Sequence, residues 1–318
     1  MENNETELLS ILKKEDAAYV PMHMPGHKRN GLFMPECLPY KIDVTEVEPF
    51  DNLHDSQGIL KQCAQNASAL FGSLKSFLLV NGSTAGILAA VRSCCKRGSK
   101  ILISANSHIS VYHAIEICGL LPVIMTSTAF GKYSFPDVVY PDMVKSALTE
   151  HPDITAALIT SPTYEGIINN IKSISEIAHS HGIPLIVDEA HGPHLYFSSE
   201  FKQFTALKNG ADIVIHSLHK TLPSLTQTAM LHINSNLVSQ SVISHNLSIF
   251  QTSSPSYPLM ASIDSCCHSL SLHGNEYYNE FARSLKDFYL STQCLKKLNV
   301  LNFNEDISDN IFPRFDKG

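Results

Sequence analysis

The stretch GADIVIHSLHKTLPSLTQTAML, residues 210–231, decides the fold, because a short apolar run in it ends abruptly in polar residues. The run from Ile213 to Ile215 predicts a buried strand, and Ser217, His219 and Lys220 follow directly. Ligands of open α/β sheets bind outside the carboxyl ends of the strands. This stretch therefore predicts a core strand that carries a lysine, a histidine and hydroxyl groups into a binding site.

Five further apolar runs precede this strand and alternate with amphipathic segments. Continuous apolar strands separated by helices are typical of a mainly parallel sheet with helices on both faces. The sequence thus predicts an α/β protein whose large domain has three layers, α/β/α. The predicted strands are 76–80, 100–104, 121–125, 155–160, 183–188 and 211–216, and the predicted helices lie near 84–95, 107–118, 140–149 and 171–181.

Length, charge and cysteine content restrict the class of protein. The 318 residues could hold one large domain and a smaller one. A net charge of −7 argues against general affinity for nucleic acid or anionic membranes, because no cationic excess is present. The chain has eight cysteines without a CxxC pair, and its amino terminus has no apolar core, which together predict a cytoplasmic protein with reduced thiols. No apolar run approaches the roughly 20 residues needed to span a bilayer.

Polar residues follow nearly every predicted strand. Because the carboxyl ends of parallel strands meet at one edge of a sheet, we expect hydroxyls, histidines, carboxylates and a lysine to collect along one rim. The segments are NGSTAG after the first strand, ANSHIS after the second, SPTYEG after the fourth, DEAHGPH after the fifth and SLHKT after the sixth.

The first of these segments has two interpretations. The junction between the first predicted strand and the following helix contains Gly82, Ser83 and Thr84. The backbone amides at the start of a helix can bind a phosphate. An ordinary helix cap explains the same residues equally well. No GxxxxGK[ST] motif is present, so a nucleotide P-loop is not predicted.

The strand-end carboxylate and the lysine also have structural alternatives. Asp188 at the end of a buried strand needs a cationic or hydrogen-bonding partner, which could be a structural arginine. Lys220 could extend to solvent, as most lysines do, but partial burial would lower its pKa and free the amine for Schiff-base chemistry. Helicase chemistry at DEAH is disfavoured without a P-loop.

The sixteen histidines also suggest a metal site. Candidate pairs lie on separate loops and no HExxH occurs, so we do not predict a metal. The pairs are His23 with His27, His191 with His194, and His216 with His219.

A phosphate site, a buried carboxylate and a lysine on one rim are what pyridoxal phosphate requires. The chain resembles the Orn/Lys/Arg decarboxylase family of fold-type-I pyridoxal phosphate enzymes, with the aspartate-aminotransferase-like fold, and especially its shorter bacterial members. Seven motifs carry the resemblance in order along nearly the whole chain. They are PMHMPGHK 21–28, DVTEVEPFDNLH 43–54, VNGSTAGI 80–87, SPTYEG 161–166, VDEAHGPH 187–194, SLHKTLPSLTQTAMLH 217–232 and QTSSPSYPLMASID 251–264.

This resemblance implies a role for each residue that matches the family's motifs. Lys220 would form a Schiff base with pyridoxal phosphate, Asp188 would pair with the pyridine nitrogen, and His108 would stack on the ring. The remaining cofactor contacts that it implies come from Ser83, Thr84, Ser217 and His219 at the phosphate and from Ala190 beneath the ring.

The resemblance also implies an activity and an organisation. The expected reaction is decarboxylation of arginine, lysine or ornithine to an amine and carbon dioxide, in a homodimer to which QTSSPSY contributes across the boundary. The expected division is an N-terminal segment 1–50, a cofactor-binding large domain 51–264, and 265–318 as a linking helix and the start of a truncated small domain. Alternatives are a noncatalytic fragment or paralogue, or another pyridoxal phosphate reaction such as transamination or elimination.

Three positions depart from the family's pattern. Ala105 and Ile109 stand near His108 where the family commonly has arginine and lysine, and Leu218 replaces a threonine. These changes remove two positive charges and one hydroxyl group near the expected substrate and cofactor contacts. The chain also ends at NIFPRFDKG, where family members continue, which favours the noncatalytic alternative.

Overall fold

The computed structural model describes residues 6–14, 23–29, 37–127, 138–297, 300 and 314–315. Two features predicted from the sequence lie partly outside this range. One is the start of PMHMPGHK, residues 21–22. The other is most of the expected start of the small domain, residues 298–299, 301–313 and 316–318.

The described residues form nine α-helices and nine β-strands. The helices are α1 Glu7–Lys14, α2 Ile59–Phe71, α3 Gly82–Cys94, α4 Ile109–Cys118, α5 Pro141–Glu150, α6 Ile171–Ser180, α7 Leu218–Thr221, α8 Gln240–Phe250 and α9 Tyr257–Thr292. The strands are β1 Lys75–Leu79, β2 Lys100–Ser104, β3 Leu121–Met125, β4 Ile154–Thr160, β5 Ile167–Ile168, β6 Leu185–Asp188, β7 Ile213–Ser217, β8 Ala229–Ile233 and β9 Arg314–Phe315.

Seven strands form one mixed sheet in the order β1-β8-β7-β6-β4-β2-β3. The neighbours from β7 to β3 pair in parallel, whereas β8 runs antiparallel to both β1 and β7. The predicted, mainly parallel sheet is therefore confirmed, and each of the six predicted strands is present. The antiparallel strand β8 was not predicted.

Helices cover both faces of this sheet, as predicted. The face under α3, α4 and α8, which we call the α3 face, buries Ile186 and Ile215. The opposite face, which we call the α9 face, packs Val187 and Val214 against α2, α5, α6 and α9. Because side chains alternate between the two faces along each strand, the sheet separates two hydrophobic cores. Successive side chains at a strand end therefore point to opposite faces of the sheet.

Gly86 allows α3 to approach the sheet closely. A methyl group on Gly86 would lie 2.7 Å from Leu79 Cδ1 and 3.3 Å from Ile215 Cγ2. Overpacking of this kind costs about 1–3 kcal/mol. The glycine thus sets the height at which the start of α3 meets the carboxyl edge of the sheet.

The long helix α9 runs along the α9 face and continues beyond it. It spans Tyr257–Thr292 and includes most of the 265–295 helix that the sequence predicts. Buried residues such as Tyr257 and Met260 lie in its first turns, whereas Phe288 and Leu290 near its end are exposed. No helix in the described part of the chain combines the length and apolar character needed to cross a membrane.

Candidate active site

The start of α3 and the end of β7 meet at the carboxyl edge of the sheet. The Ser217 hydroxyl donates a hydrogen bond to Ser83 Oγ over 2.9 Å. Gly82 turns the chain into α3 with a φ of +74°, a conformation that glycine adopts without steric cost. Two of the predicted phosphate-binding residues, one at the start of a helix and one at the end of a distant strand, therefore form one hydroxyl pair.

No side chain in the described part of the chain caps the first turn of α3 from its cap position. Asn81 is at the cap position, but its side chain makes no capping hydrogen bond and instead accepts one from the Thr252 N–H over 3.1 Å. Helix starts carry partial positive charge and amide donors that require partners. The ordinary-cap interpretation is thus not supported by the geometry of Asn81, and the turn is suited to an anion.

Asp188 is a buried carboxylate at the same edge. It ends β6, is 4% exposed and accepts a hydrogen bond from the Ala190 N–H over 3.2 Å. Burial raises the pKa of Asp188, while the Ala190 N–H and the positive charges of Lys220 and His108 oppose the rise. A further positive or hydrogen-bonding partner would stabilise the ionised carboxylate.

Thr160 lies beside Asp188 on the neighbouring strand. The two residues pair in parallel register, so their side chains share the α3 face. The Thr160 hydroxyl is buried and has no hydrogen-bond partner in the described part of the chain. Since buried polar groups are nearly always paired, this hydroxyl indicates room for a polar ligand beside Asp188.

Lys220 lies in α7, directly after β7. Its Nζ is 3.0 Å from His191 Nε2, and the side chain remains accessible to solvent. Burial lowers the pKa of Lys220, and the charge of Asp188 opposes this effect. His191 belongs to the DEAH segment but is not among the site residues that the sequence predicts.

The other predicted site residues occupy the same rim with fewer mutual contacts. His108 caps α4, where its Nδ1 accepts a hydrogen bond from the Ser110 N–H over 3.2 Å. His219 Nδ1 donates to the Thr228 carbonyl over 3.0 Å. Thr84 is exposed in the first turn of α3, and Ala190 is buried. Within the described chain, no hydrogen bond joins Thr84 or His219 to another of these candidates.

A buried polar chain lies behind the rim, on the α9 face. His216 Nε2 is 2.9 Å from Glu189 Oε2, and His216 Nδ1 is 3.0 Å from His232 Nε2. His232 Nδ1 is in turn 2.8 Å from Ser76 Oγ. Burial lowers the pKa of His216 to about 3 and holds the pKa of His232 well below its ordinary value, so both imidazoles are neutral at pH 7.

The carboxylate at one end of this chain has further donors. The Tyr196 hydroxyl donates to Glu189 Oε2 over 2.9 Å, and the Ala206 N–H donates to Oε1 over 2.8 Å. An ionised Glu189 accepts from His216 Nε2–H, which leaves His216 Nδ1 as the acceptor for His232. Every hydrogen bond in this buried polar chain therefore donates toward Glu189. His216, which the sequence offers as a candidate metal ligand, here has both ring nitrogens in hydrogen bonds with Glu189 and His232.

The departures from the family's pattern have different surroundings. Leu218 is fully buried and packs in the core of the α9 face, so a hydroxyl at this position would be placed in an apolar environment. Ile109 is 57% exposed at the start of α4, and Ala105 is also exposed. Across the described residues, no three acidic, histidine or cysteine side chains form a potential metal site.

Comparison with known proteins identifies the family. The family described as "Orn/Lys/Arg decarboxylase, major domain" matches residues 10–307. This chain belongs to the Orn/Lys/Arg decarboxylase family. The fold agrees: the lysine decarboxylase LdcF of Francisella novicida superposes with a TM-score of 0.80 at 21% identity, over 94% of this chain and 45% of that chain.

Relatives of this family from Bacillus subtilis are more similar in sequence. The uncharacterized protein YaaO is 41% identical over 76% of this chain and 52% of its own length. Arginine decarboxylase from the same organism is 37% identical over 95% of this chain and 61% of its own length. The decarboxylase-family chain thus spans about half to three fifths of the length of these relatives.

Structures that share the fold at lower similarity include pyridoxal phosphate proteins. The pyridoxal-5'-phosphate-dependent protein YhfS of Escherichia coli has a TM-score of 0.55 at 13% identity, over 74% of this chain and 58% of that chain. This likeness concerns the fold alone.

Proposed function

We propose that this chain is the cofactor-binding part of a pyridoxal phosphate-dependent decarboxylase that acts on a basic amino acid, with arginine as the first candidate substrate. The observation that carries the proposal is the convergence of Lys220, Asp188 and the Ser83–Ser217 pair at one edge of the sheet. Relatives named arginine decarboxylase support the choice of arginine.

The residues at this edge fit pyridoxal phosphate at both ends of the molecule. The uncapped start of α3 and the hydroxyls of Ser83 and Ser217 suit the phosphate, because they offer donors and positive helix potential. Asp188 and the unpaired Thr160 hydroxyl suit the polar edge of the ring. A protonated ring nitrogen would supply the cationic partner that the buried Asp188 carboxylate needs.

Each protein group has a distinct task in the proposed reaction. When bound, pyridoxal phosphate supplies an electron sink that stabilises the carbanion formed as carbon dioxide leaves. Asp188 would hold the proton of the ring nitrogen, and Lys220 would supply the amine that binds the cofactor aldehyde. His108, at the start of α4, would cover one face of the ring and exclude water there.

Thr84, His219 and Ala190 complete the proposed contacts. Thr84 belongs to the same uncapped turn as Ser83 and would add its hydroxyl to the phosphate. His219 uses Nδ1–H on the Thr228 carbonyl, so Nε2 is the ring nitrogen that would face the phosphate. Ala190 is buried two residues after Asp188, and its methyl group would pack beneath the ring.

A second candidate is a cofactor-binding chain without decarboxylase activity. Ala105 and Ile109 favour it, because they place no positive charge beside His108 where the family commonly has two. Transamination or elimination on the same cofactor is a third candidate, which product analysis separates from decarboxylation.

The proposal includes a homodimer in the cytoplasm. Gln251 is buried and binds its own chain through the Val80 N–H over 2.9 Å, whereas Thr252 to Ser254 are exposed and could contact a second subunit. All eight cysteines are free, which fits a reducing compartment. Sedimentation at several concentrations tests the dimer.

The first experiment is cofactor binding to the purified chain. We expect an absorption band on addition of pyridoxal phosphate, and borohydride reduction should place the label on Lys220. Lys220→Ala should abolish the label, while Lys208→Ala, at an exposed lysine, should retain it. Release of amine and carbon dioxide from arginine, lysine and ornithine then tests the reaction. Wild-type protein without a labelled Lys220 would overturn the proposal.

A further inference from the structure

The contact between His191 and Lys220 has no part in the roles described so far. His191 follows Ala190 in the loop after β6, and Lys220 lies in α7 after the neighbouring strand β7. Their nitrogens Nε2 and Nζ are 3.0 Å apart. This distance is within the range over which a general acid or base transfers a proton.

The charged and aromatic groups around this pair determine where the proton lies. Asp188 acts on Lys220 through its charge, and His108 acts on Asp188 in the same way. Tyr164 meets the His191 ring edge-on, with centroids 5.9 Å apart. Two cations at 3.0 Å would repel each other strongly, so a single positive charge shared by the two nitrogens is favoured.

A lysine amine is ordinarily a stronger base than an imidazole. In the resting pair, the Lys220 ammonium therefore donates to His191 Nε2, and the imidazole carries its own proton on Nδ1. A neutral Nε2 in this position can accept a proton from Lys220 and return it to a nearby oxygen.

We propose that His191 is a catalytic acid–base that carries the protons whenever Lys220 forms or breaks its bond to a carbonyl carbon. This inference rests on the proposed function. The neutral Lys220 amine adds to the aldehyde carbon and forms the C–N bond. Its two N–H protons pass in turn through His191 Nε2 to the former carbonyl oxygen, which leaves as water when the C=N bond forms. Release of Lys220 follows the same path in reverse.

The neighbouring groups are less suited to this task. Asp188 is buried and already accepts a hydrogen bond from Ala190 N–H, and its proposed role at the ring nitrogen requires it to stay ionised. Tyr164 is 86% exposed and meets His191 through its ring. Of these three side chains, His191 is the one with a ring nitrogen 3.0 Å from Lys220 Nζ, and imidazole is the side chain best suited to proton transfer near neutral pH.

A phosphate-free aldehyde tests this role without the cofactor. Cofactor-free protein is mixed with pyridine-4-carboxaldehyde, trapped with borohydride at set times, and the labelling of Lys220 is measured by mass spectrometry against the exposed Lys208. Rates are compared on the high-pH plateau, where the amine is neutral in every variant. His191→Ala should slow labelling of Lys220 about 10²-fold and leave Lys208 unchanged.

Two further measurements distinguish proton transfer by His191 from a purely structural role of its contact with Lys220. Added imidazole should restore the rate in His191→Ala, since it can occupy the vacated space and carry the proton. His191→Asn, which can hydrogen-bond but does not titrate, should remain slow. An unchanged rate in His191→Ala, failure of imidazole to restore it, or a full rate in His191→Asn would each overturn the inference.

A parallel series with pyridoxal phosphate distinguishes this inference from the proposed function. If the simple aldehyde shows the dependence on His191 but pyridoxal phosphate never labels Lys220, the proposed function fails and the role of His191 stands. If pyridoxal phosphate labels Lys220 equally fast in wild type and His191→Ala, the role of His191 fails and the proposed function stands.

Discussion

Asp188 and Glu189 are consecutive buried carboxylates whose side chains leave the end of β6 on opposite faces of the sheet. Asp188 shares the α3 face with Thr160, whereas Glu189 bonds to His216, whose ring packs against Phe71 in the core of the α9 face. The sheet therefore divides two polar clusters. One carboxylate faces the proposed cofactor site, and the other is fully engaged by protein donors.

Replacement of Asp188 should separate stability from function. Burial raises the pKa of Asp188, so the folded chain holds this proton more tightly than the unfolded chain. Stability of the cofactor-free protein should therefore fall as the pH rises above the ordinary value of 3.8 and through the folded pKa. At pH 7, Asp188→Asn should be more stable than wild type, yet lose decarboxylation by about 10²- to 10³-fold.

Urea unfolding at pH 7 and an amine-release assay check the two effects of Asp188→Asn. The matched control is Asp153→Asn, at an exposed carboxylate 3.0 Å from Lys100, which should change neither quantity much. A cofactor-free Asp188→Asn protein that is less stable than wild type at pH 7 would contradict the expected cost of burying this carboxylate.

Glu189 should set the tautomers of two histidines. In the wild type, the ionised carboxylate requires the Nε2–H form of His216, which in turn requires the Nε2–H form of His232. In Glu189→Gln, the new amide donates to His216 Nε2, so both rings should switch to the Nδ1–H form and His232 should donate to Ser76. Long-range proton–nitrogen NMR of the histidine rings reports each tautomer. Unchanged tautomers in the variant would show that Glu189 does not order the chain.

The same histidines should make the protein sensitive to acid. His216 has a folded pKa of about 3 against an ordinary 6.5, so the unfolded chain takes up this proton first. The contribution of His216 to the free energy of unfolding is fully present above about pH 6.5. It falls as the pH drops toward 3, by at most about 1.4 kcal/mol per pH unit.

His216→Gln tests this pH dependence, because glutamine can donate to Glu189 and accept from His232 without titrating. Urea unfolding at pH 7 and pH 4 should show a smaller acid loss in His216→Gln than in wild type. His245→Gln, at an exposed histidine, should keep the wild-type loss. An equal loss in all three proteins would assign acid sensitivity to other groups.

The sequence was sufficient for the parallel strands but not for β8. The runs 100–104 and 121–125 match β2 and β3 residue for residue, because each is a short, mainly apolar segment followed by a helix or loop. Strand β8 follows α7 after a short connection and runs antiparallel between β1 and β7. A pattern of alternating strands and helices predicts parallel neighbours, so it gave no reason to expect this strand.

The site residues divide in a similar way. Asp188 and Lys220 stood out because polar residues directly follow apolar strands. The sequence does not predict Thr160 and His191, since what singles them out is a hydroxyl without a partner among the described residues and a 3.0 Å contact between a loop and α7. The buried polar chain has one sign in the sequence, the histidine His216 at the end of an apolar strand. Its partner Glu189 lies 27 residues away, so the sequence does not pair the two residues.

The hydroxyl pair at the start of α3 should contribute directly to cofactor affinity. Ser217 donates to Ser83 over 2.9 Å, and both would face the phosphate together. A hydrogen bond to a charged group is worth about 1.5–3 kcal/mol, so Ser217→Ala and Ser83→Ala should each weaken pyridoxal phosphate binding about 10- to 100-fold. Because the two hydroxyls also contact each other, the double variant should lose less than the sum of the single losses.

Absorbance titration with pyridoxal phosphate measures these affinities. Ser180→Ala, at an exposed serine whose hydroxyl bonds to the Ile177 carbonyl and the neighbouring His181, is the matched control and should bind as wild type does. Inorganic phosphate should compete with the cofactor in wild type and compete less well in Ser217→Ala, since the pair would contact the phosphate rather than the ring. Equal competition in the two proteins would show that the Ser83–Ser217 pair does not contact the phosphate. The first turn of α3 would then be the main part of the phosphate site.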